Sequence, residues 1–256
     1  MTDYEKLKRD INDRLGIDLN AYKEQQMRRR INQWLDRYDL TSYNGLIRKI
    51  DEDPEHRAKF VEYLTINTSN FFRDSSVFKV IEEQVLPAIS KHNRPRIWSA
   101  GASIGAEIYS IAILMKEYGF TPGQLFATDL DEVILRKAQE GVYLANQITG
   151  MEKKYLDKYF LSQSDGTWAI TESIKRQVSF KKHDLLKDPY ERNFDLILCR
   201  NVFIYFTSET QARLIKNFVQ SLKPNGYFIV GSAEQIMDPA SFGLQRVSYC
   251  IYQKTA

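Results

Sequence analysis

Three acidic residues follow apolar, strand-like segments of this chain, and they are its first candidates for chemistry. They are Glu107 just inside a small-residue turn, Asp129 at the end of a second predicted strand, and Asp184 after a third. An acid after the second strand is where a nucleotide ribose is bound through its hydroxyl groups. Any single one could instead be an ordinary loop or helix N-terminal carboxylate. Three at successive strand ends predict a site for a ligand that carries a ribose and positive charge.

The stretch from Arg96 to Ser110 is an apolar strand, a small-residue turn and then a helical pattern. Gly101 and Gly105 permit positive φ and close backbone approach, and the helix start offers free N–H groups. The turn lacks the G-x-G-x-x-G spacing of dinucleotide sites, and Asp129 lies further on than their roughly 20 residues. S-adenosylmethionine suits the acids better, because its sulfonium and amino groups are cationic. Taken alone, such a turn also occurs in α/β proteins that bind nothing there.

Strand-like and helical segments alternate from about residue 78 onwards. The predicted strands start at Ile97, Gln124, Val178, Phe194, Tyr227 and Tyr249, and the predicted helices include 80–89, 107–118, 153–159 and 211–222. This alternation predicts an α/β fold with a mostly parallel sheet, helices on both faces and ligands at the carboxyl ends of the strands. Asp165-Gly166 is a hairpin turn signal. We therefore expect a small antiparallel β excursion within about residues 145–180.

Residues 1–72 carry apolar side chains at three- and four-residue spacing, which predicts four helices and a small helical domain. The second domain is then 73–256. Arg28, Arg29 and Arg30 follow one another on the second helix. This run is either a solvated helix face or a docking surface for an acidic partner, since arginine forms paired hydrogen bonds with carboxylates. Nucleic acid is disfavoured, because the run has no interleaved exposed aromatics and the domain is not strongly basic.

Composition narrows the class of protein. There are 36 Lys and Arg against 33 Asp and Glu, a net charge of +3, which gives no indication of a polyanionic partner. Cys199 and Cys250 lie in apolar runs, which predicts buried thiols and a reducing compartment. The charged N-terminus is unlike a signal peptide, and no apolar run reaches the ~20 residues of a membrane span. We expect a soluble cytoplasmic protein, and the isolated histidines give no indication of a metal site.

Several motifs of the chain match one family, in the family's order. They are Asn67–Arg73, Trp98–Ala112, Ala127–Asp131, Phe194–Phe206, Leu222–Phe228 and Gly231–Glu234. On these motifs the chain resembles the CheR-type chemotaxis receptor methyltransferases, in particular the Gram-positive type. The resemblance implies a Rossmann-like class I methyltransferase sheet, with a small N-terminal helical domain and a short antiparallel hairpin excursion.

The resemblance also implies an activity. It is transfer of a methyl group from S-adenosylmethionine to the γ-carboxylate of specific receptor glutamates, which leaves S-adenosylhomocysteine and a glutamyl methyl ester in sensory adaptation. No general base or metal is needed, because glutamate with a reference pKa of about 4.3 is already ionised at neutral pH. The alternative is a catalytically inactive signalling adaptor that only binds S-adenosylmethionine. A methyltransferase for small molecules or nucleic acid is disfavoured by the basic helix of the N-terminal domain.

Residue roles follow from the matching motifs. The implied cofactor-binding residues are Asn67, Ser69, Arg73, Gly101, Glu107, Asp129, Asp184, Leu185, Arg200 and Asn201. Arg73 and Tyr205 are the implied catalytic pair, as orienters of the substrate carboxylate. The implied receptor-docking residues, Arg28, Arg29 and Arg30, would meet the helical methylation region of the receptor.

Two departures from the family pattern stand out. Ala106 and Ile108 replace an acid and a proline that the family commonly has beside Glu107. Since Glu107 itself is present, we expect cofactor binding to be kept. The hairpin excursion is slightly shorter than in the enteric form. It resembles members that do not use a tether to a pentapeptide at the receptor C-terminus.

Overall fold

The computed structural model describes residues 2–65, 69–91 and 94–255. The chain divides into two compact units, one of Met1–Asn67 and Tyr205–Arg213, and the other of Thr68–Ile204 and Leu214–Ala256. No helix in these described ranges is both long and apolar enough to cross a membrane.

The first unit is all helical. Its helices are α1 (Asp3–Leu15), α2 (Glu24–Arg37), α3 (Tyr43–Glu52) and α4 (Pro54–Thr65). Helix α1 begins after Thr2, whose hydroxyl accepts the Glu5 N–H (3.3 Å), and it ends at Gly16 with a φ of 71°. Ser42 caps α3 in the same way through the Gly45 N–H (3.1 Å). The four helices lie where the apolar spacing predicts them.

Aromatic side chains fill the centre of the helical unit. Trp34 of α2 is 2% exposed and meets the ring of Phe60 edge-on, with the ring centroids 5.4 Å apart. Its indole N–H donates to His56 Nε2 (3.1 Å), so the one polar group of this large side chain is paired. Packing between α2 and α4 therefore rests on Trp34.

The segment 205–213 belongs to the helical unit, although it lies far from it in sequence. The Lys23 N–H donates to the Tyr205 carbonyl (2.8 Å), and the Thr207 N–H donates to the Ala21 carbonyl (3.0 Å). The ring of Phe206 lies 4.9 Å from that of Tyr22. These contacts make Tyr205 part of the first unit.

The second unit contains two sheets. The strands are β1 (Arg96–Ala100), β2 (Gln124–Asp129), β3 (Val142–Tyr143), β4 (Phe160–Ser162), β5 (Trp168–Ile170), β6 (Val178–Lys182), β7 (Phe194–Cys199), β8 (Leu222–Val230), β9 (Leu244–Ser248) and β10 (Ile251–Lys254). The order of the seven-stranded sheet is β6-β2-β1-β7-β8-β10-β9. Its first five strands are parallel and the last two pair antiparallel, which confirms the predicted mostly parallel sheet. Strand order reverses between β1 and β7, and open α/β sheets bind ligands at the carboxyl ends beside such a point.

Helices connect these strands. They are α5 (Ser75–Val80), α6 (Leu86–Ser90), α7 (Ala106–Glu117), α8 (Glu132–Glu140), α9 (Lys153–Tyr159), α10 (Glu172–Lys175) and α11 (Ser208–Ser221), with a π-helical turn Ile81–Val85 joining α5 to α6. Pro87 has no N–H to donate to the Glu83 carbonyl, which accounts for the widened turn. The predicted helix over 80–89 thus begins five residues earlier, at Ser75.

The predicted antiparallel excursion is confirmed. Strands β3, β5 and β4 form a separate three-stranded antiparallel sheet, and α9 occupies the predicted range 153–159. The hairpin between β4 and β5 turns at Gly166, which has a φ of 81°.

The C-terminal strands differ from the prediction. Strand β9 was not predicted, because its sequence LQRVS carries few apolar side chains. It lies at the sheet edge and pairs on one side only, with β10, so its side chains stay largely exposed. Strand β8 begins at Leu222 rather than Tyr227, and it accommodates Asn225 at a φ of 62° beside a register shift against β7.

Candidate functional site

The loops after β1 and β7 approach closely at the point where strand order reverses. Gly101 directly follows β1 with a φ of 73°, and a Cβ at this position would lie 2.6 Å from Val202 Cγ2. The N–H groups of Gly101 and Ala102 both donate to the Thr128 carbonyl of β2 (2.8 and 2.9 Å). Glycine is therefore required both by the backbone conformation and by the neighbouring loop.

Asp129, at the end of β2, fixes the glycine-rich turn. Its Oδ2 accepts the Ser103 N–H (2.8 Å), and its Oδ1 accepts the Asp131 N–H (3.1 Å). Asp129 is 8% exposed, and this burial raises its pKa to about 6 although backbone N–H groups of Ser103, Leu130 and Asp131 favour the ionised form. Each carboxylate oxygen has a second lone pair. Asp129 can therefore hold the turn and still accept a hydroxyl group.

Glu107 of α7, which is half-buried, forms an ion pair with the buried Arg200 directly after β7. Glu107 Oε2 accepts from Arg200 Nη1 (3.3 Å), and its Oε1 accepts the Ser99 hydroxyl (2.6 Å). Arg200 Nη2 donates to Asp74 Oδ2 (2.7 Å) and to the Arg73 carbonyl (2.9 Å). One arginine between two carboxylates leaves an excess negative charge, which suits a cationic ligand.

The segment before α5 is anchored by its two aromatic residues. The ring of Phe71 meets that of Tyr143 edge-on (4.8 Å), and the ring of Phe72 stacks on Tyr155 (5.1 Å). Phe72 and Asp74 have positive φ angles of 51° and 62°. Between them Arg73 is exposed, while its carbonyl is held by Arg200. The aromatic pair thus fixes a strained segment that presents Arg73.

Two predicted residues precede this segment. Ser69 is half-buried at its start, and Asn67 lies outside the described residues.

Asp184 and Leu185 follow β6, which pairs with β2. The His183 N–H donates to the Asp129 carbonyl (2.9 Å), so this loop lies at the same sheet edge as Asp129. Asp184 Oδ1 accepts the Leu186 N–H (2.8 Å), and the carboxylate therefore caps its own turn. The Leu185 carbonyl is also occupied, by the Tyr190 hydroxyl (2.9 Å).

Glu234 holds the loop after β7 and was assigned no role from the sequence. It is 8% exposed, and its carboxylate accepts backbone N–H groups from Gly231 (2.7 Å), Asn201 (2.7 Å) and Ile204 (3.0 Å). The sequence feature that could have identified Glu234 is its place in the matching motif Gly231–Glu234, directly after a predicted strand. Asp74 was missed as well, because nothing local in the sequence relates it to Arg200.

The three arginines of α2 are not equivalent. Arg28 is exposed, pairs with Glu24 (3.1 Å) and lies over the ring of Tyr4 (4.4 Å). Arg29 is exposed. Arg30 Nε donates to the Tyr63 carbonyl (2.8 Å), and burial lowers its pKa. Arg30 therefore holds the last turn of α4, whereas its two neighbours face solvent.

The second unit brings most of the predicted site residues to one edge of the sheet. These are Arg73, Gly101, Glu107, Asp129, Asp184, Leu185, Arg200 and Asn201. Tyr205 and the arginines of α2 lie in the first unit.

Two polar atoms at this edge agree with the binding of a polar ligand such as S-adenosylmethionine. Ser103 Oγ and Arg200 Nε are buried, and neither has a hydrogen-bond partner among the residues that the structure describes. They lie on the two loops that flank the reversal of strand order. Buried polar atoms without partners call for a ligand or water. Within the described ranges, no group of His, Cys, Asp and Glu side chains could hold a metal ion.

Both parts of the chain match known protein families. Residues 2–65 match the family model described as CheR methyltransferase, all-alpha domain, and residues 67–249 match CheR methyltransferase, SAM binding domain. The chain is 36% identical over 256 residues to the chemotaxis protein methyltransferase of Listeria innocua, across 99% of this chain and 97% of that protein. The chemotaxis protein methyltransferase of Borreliella burgdorferi is 31% identical over 237 residues, which cover 86% of this chain and 83% of that protein. The chain therefore belongs to the CheR family of S-adenosylmethionine-dependent chemotaxis methyltransferases.

Proposed function

We propose that this chain transfers the methyl group of S-adenosylmethionine to the γ-carboxylate of glutamates in chemotaxis receptors. The product is a glutamyl methyl ester, and the reaction serves sensory adaptation on the cytoplasmic side of the membrane. The observation that carries the proposal is the joint match to both CheR domains over residues 2–249. The ion-paired Glu107 and the buried Asp129 at the reversal of strand order agree with it.

The geometry of the sheet edge supports the proposed cofactor roles. Asp129 would accept a ribose hydroxyl on a remaining lone pair, and Glu107 would attract the cationic amino group. Asp184 and Leu185 would flank the adenine. When bound, S-adenosylmethionine supplies an electrophilic methyl group on a sulfonium whose sulfur leaves as a neutral thioether.

The chain's own task is to position the attacking carboxylate. A glutamate side chain is ionised at neutral pH, so no residue has to remove a proton. Arg73 would form charge-assisted hydrogen bonds with the carboxylate, and the Tyr205 hydroxyl would donate a further one. Holding the oxygen in line and excluding water then supplies most of the rate.

The exposed charges of α2 support a receptor as the partner. The glutamates that the proposed reaction methylates are anionic, and the exposed Arg28 and Arg29 of α2 offer them positive charge. We further propose that no C-terminal pentapeptide tether is used, since the excursion is built from strands of only two or three residues.

The test is transfer of labelled methyl from S-adenosylmethionine to receptor-containing membranes. Alkali-labile label is expected with the wild-type chain. Asp129→Ala should abolish both the label and S-adenosylmethionine binding by calorimetry. Binding by the wild-type chain without any label would instead favour the inactive adaptor.

A further inference from the structure

We propose that Glu234 is a positioning residue for methyl transfer, whose carboxylate holds the loop after β7 in its working conformation. The inference rests on the proposed function, and it adds a residue that touches neither cofactor nor substrate. Glu234 is buried, and its Oε2 accepts from Gly231 and Asn201 while its Oε1 accepts from Ile204. One side chain thus ties the loop after β7 to the loop after β8.

Only a carboxylate meets all three donors. Its two oxygens are acceptors alone, whereas a glutamine would turn an NH₂ group toward at least one backbone N–H. A buried N–H without an acceptor is costly, so the loop would rearrange. This matters at Asn201, which has a φ of 62°, an uncommon conformation for a residue other than glycine. Glu234 supplies the hydrogen bonds that keep it there.

The space around the carboxylate is closed. A Cβ on Gly231 would lie 2.5 Å from Glu234 Oε2 and 2.9 Å from the Asn201 nitrogen. Gly231 does not have a positive φ, so glycine is needed at this position for close approach and not for backbone conformation. Even one added methyl group would push the carboxylate off the loop.

The held loop bears directly on the site. It starts immediately after Arg200, whose guanidinium bonds Glu107 and Asp74. The Ser232 hydroxyl, from the same loop as Glu234, approaches Asp74 Oδ2 at 3.4 Å. The loop after β8 therefore contacts Asp74, which pairs with Arg200, through Ser232 and the residue after Arg200 through Glu234.

The test uses Glu234→Gln and Gly231→Ala in the full chain, with Glu140→Gln as the control, since Glu140 is exposed at the end of α8. We expect both variants to lower kcat for receptor methylation about 100-fold, as a displacement of about 1 Å can do. The KM for receptor should stay close to the wild-type value. Amide hydrogen exchange should speed up at 201–204 and stay slow in β1.

The outcomes separate the two proposals. An inactive wild-type chain would overturn the proposed function and the role of Glu234 with it. An active wild-type chain with an equally active Glu234→Gln would overturn the role of Glu234 alone. Faster exchange throughout the sheet, with kcat falling only in step with thermal stability, would also overturn it, because that is what general destabilisation produces.

Discussion

At the residue scale, Asp129 shows how one carboxylate can serve both the fold and a ligand. Its two oxygens hold the Ser103 and Asp131 N–H groups, and burial raises its pKa to about 6. Hydroxyl donors from a ribose would favour the ionised form, because hydrogen bonds to a charged acceptor are stronger. Ligand affinity should therefore follow the ionisation of this residue.

We predict that the affinity for S-adenosylmethionine rises with pH. With a pKa of about 6, roughly a tenth of Asp129 is ionised at about pH 5 and nine-tenths at about pH 7. The Kd measured by calorimetry should fall about tenfold across that interval. Asp129→Asn should bind weakly at both pH values. If Asp129→Asn kept the wild-type dependence of Kd on pH, the titrating group would be a residue other than Asp129.

At the scale of elements, the helical unit depends on a neutral histidine in α4. His56 is 4% exposed, its Nε2 accepts the Trp34 indole N–H, and its backbone N–H donates to Asp53 Oδ1 (3.0 Å). Burial lowers its pKa. A proton on Nε2 would face the indole N–H, so the charged form is excluded from the packed interface between α2 and α4.

This arrangement predicts loss of stability in mild acid. Because the folded pKa of His56 lies below its unfolded value of about 6.5, the stabilisation is fully present above about pH 6.5 and is lost as pH falls toward the folded pKa. Thermal unfolding by circular dichroism should show a lower Tm at about pH 5.5 than at about pH 7.5. His56→Gln keeps an acceptor for Trp34 but does not titrate, and His183 remains in both proteins. An unchanged pH slope in His56→Gln would contradict the prediction.

At the scale of the whole molecule, the two units carry different parts of the proposed reaction. The second holds the acids and Arg200 at the sheet edge, and the first holds the basic face of α2 together with Tyr205. Receptor recognition and cofactor binding should then respond to different substitutions.

We predict that Arg29→Glu weakens receptor methylation without changing affinity for S-adenosylmethionine. Arg29 is exposed, so reversing its charge should act on the acidic partner rather than on the fold. Arg30→Met should instead lower the Tm, because it removes the donor to the Tyr63 carbonyl. Arg136→Glu, an exposed charge reversal on α8, is the matched control. Equal methylation by Arg29→Glu and the control would exclude docking through Arg29.

The sequence alone determined the features that depend on neighbours along the chain. Alternation of apolar segments predicted the parallel sheet, and the glycine turn with acids at successive strand ends predicted a site at the carboxyl edge of that sheet. Local periodicity and turn residues carry this information. The same pattern could not predict β9, because an edge strand with exposed side chains does not need alternating apolar residues.

Only the tertiary structure decided which distant groups meet. Arg200 bonds Asp74, 126 positions away, and Glu234 bonds Asn201, 33 positions away. Tyr205 joins the helical unit through Lys23, and Arg30 differs from the exposed Arg29 because it is half-buried and donates to the Tyr63 carbonyl. Such pairs follow from strand register and the approach of loops, which no local pattern encodes. The acids were therefore predictable from the sequence, while the contacts that hold them in place were not.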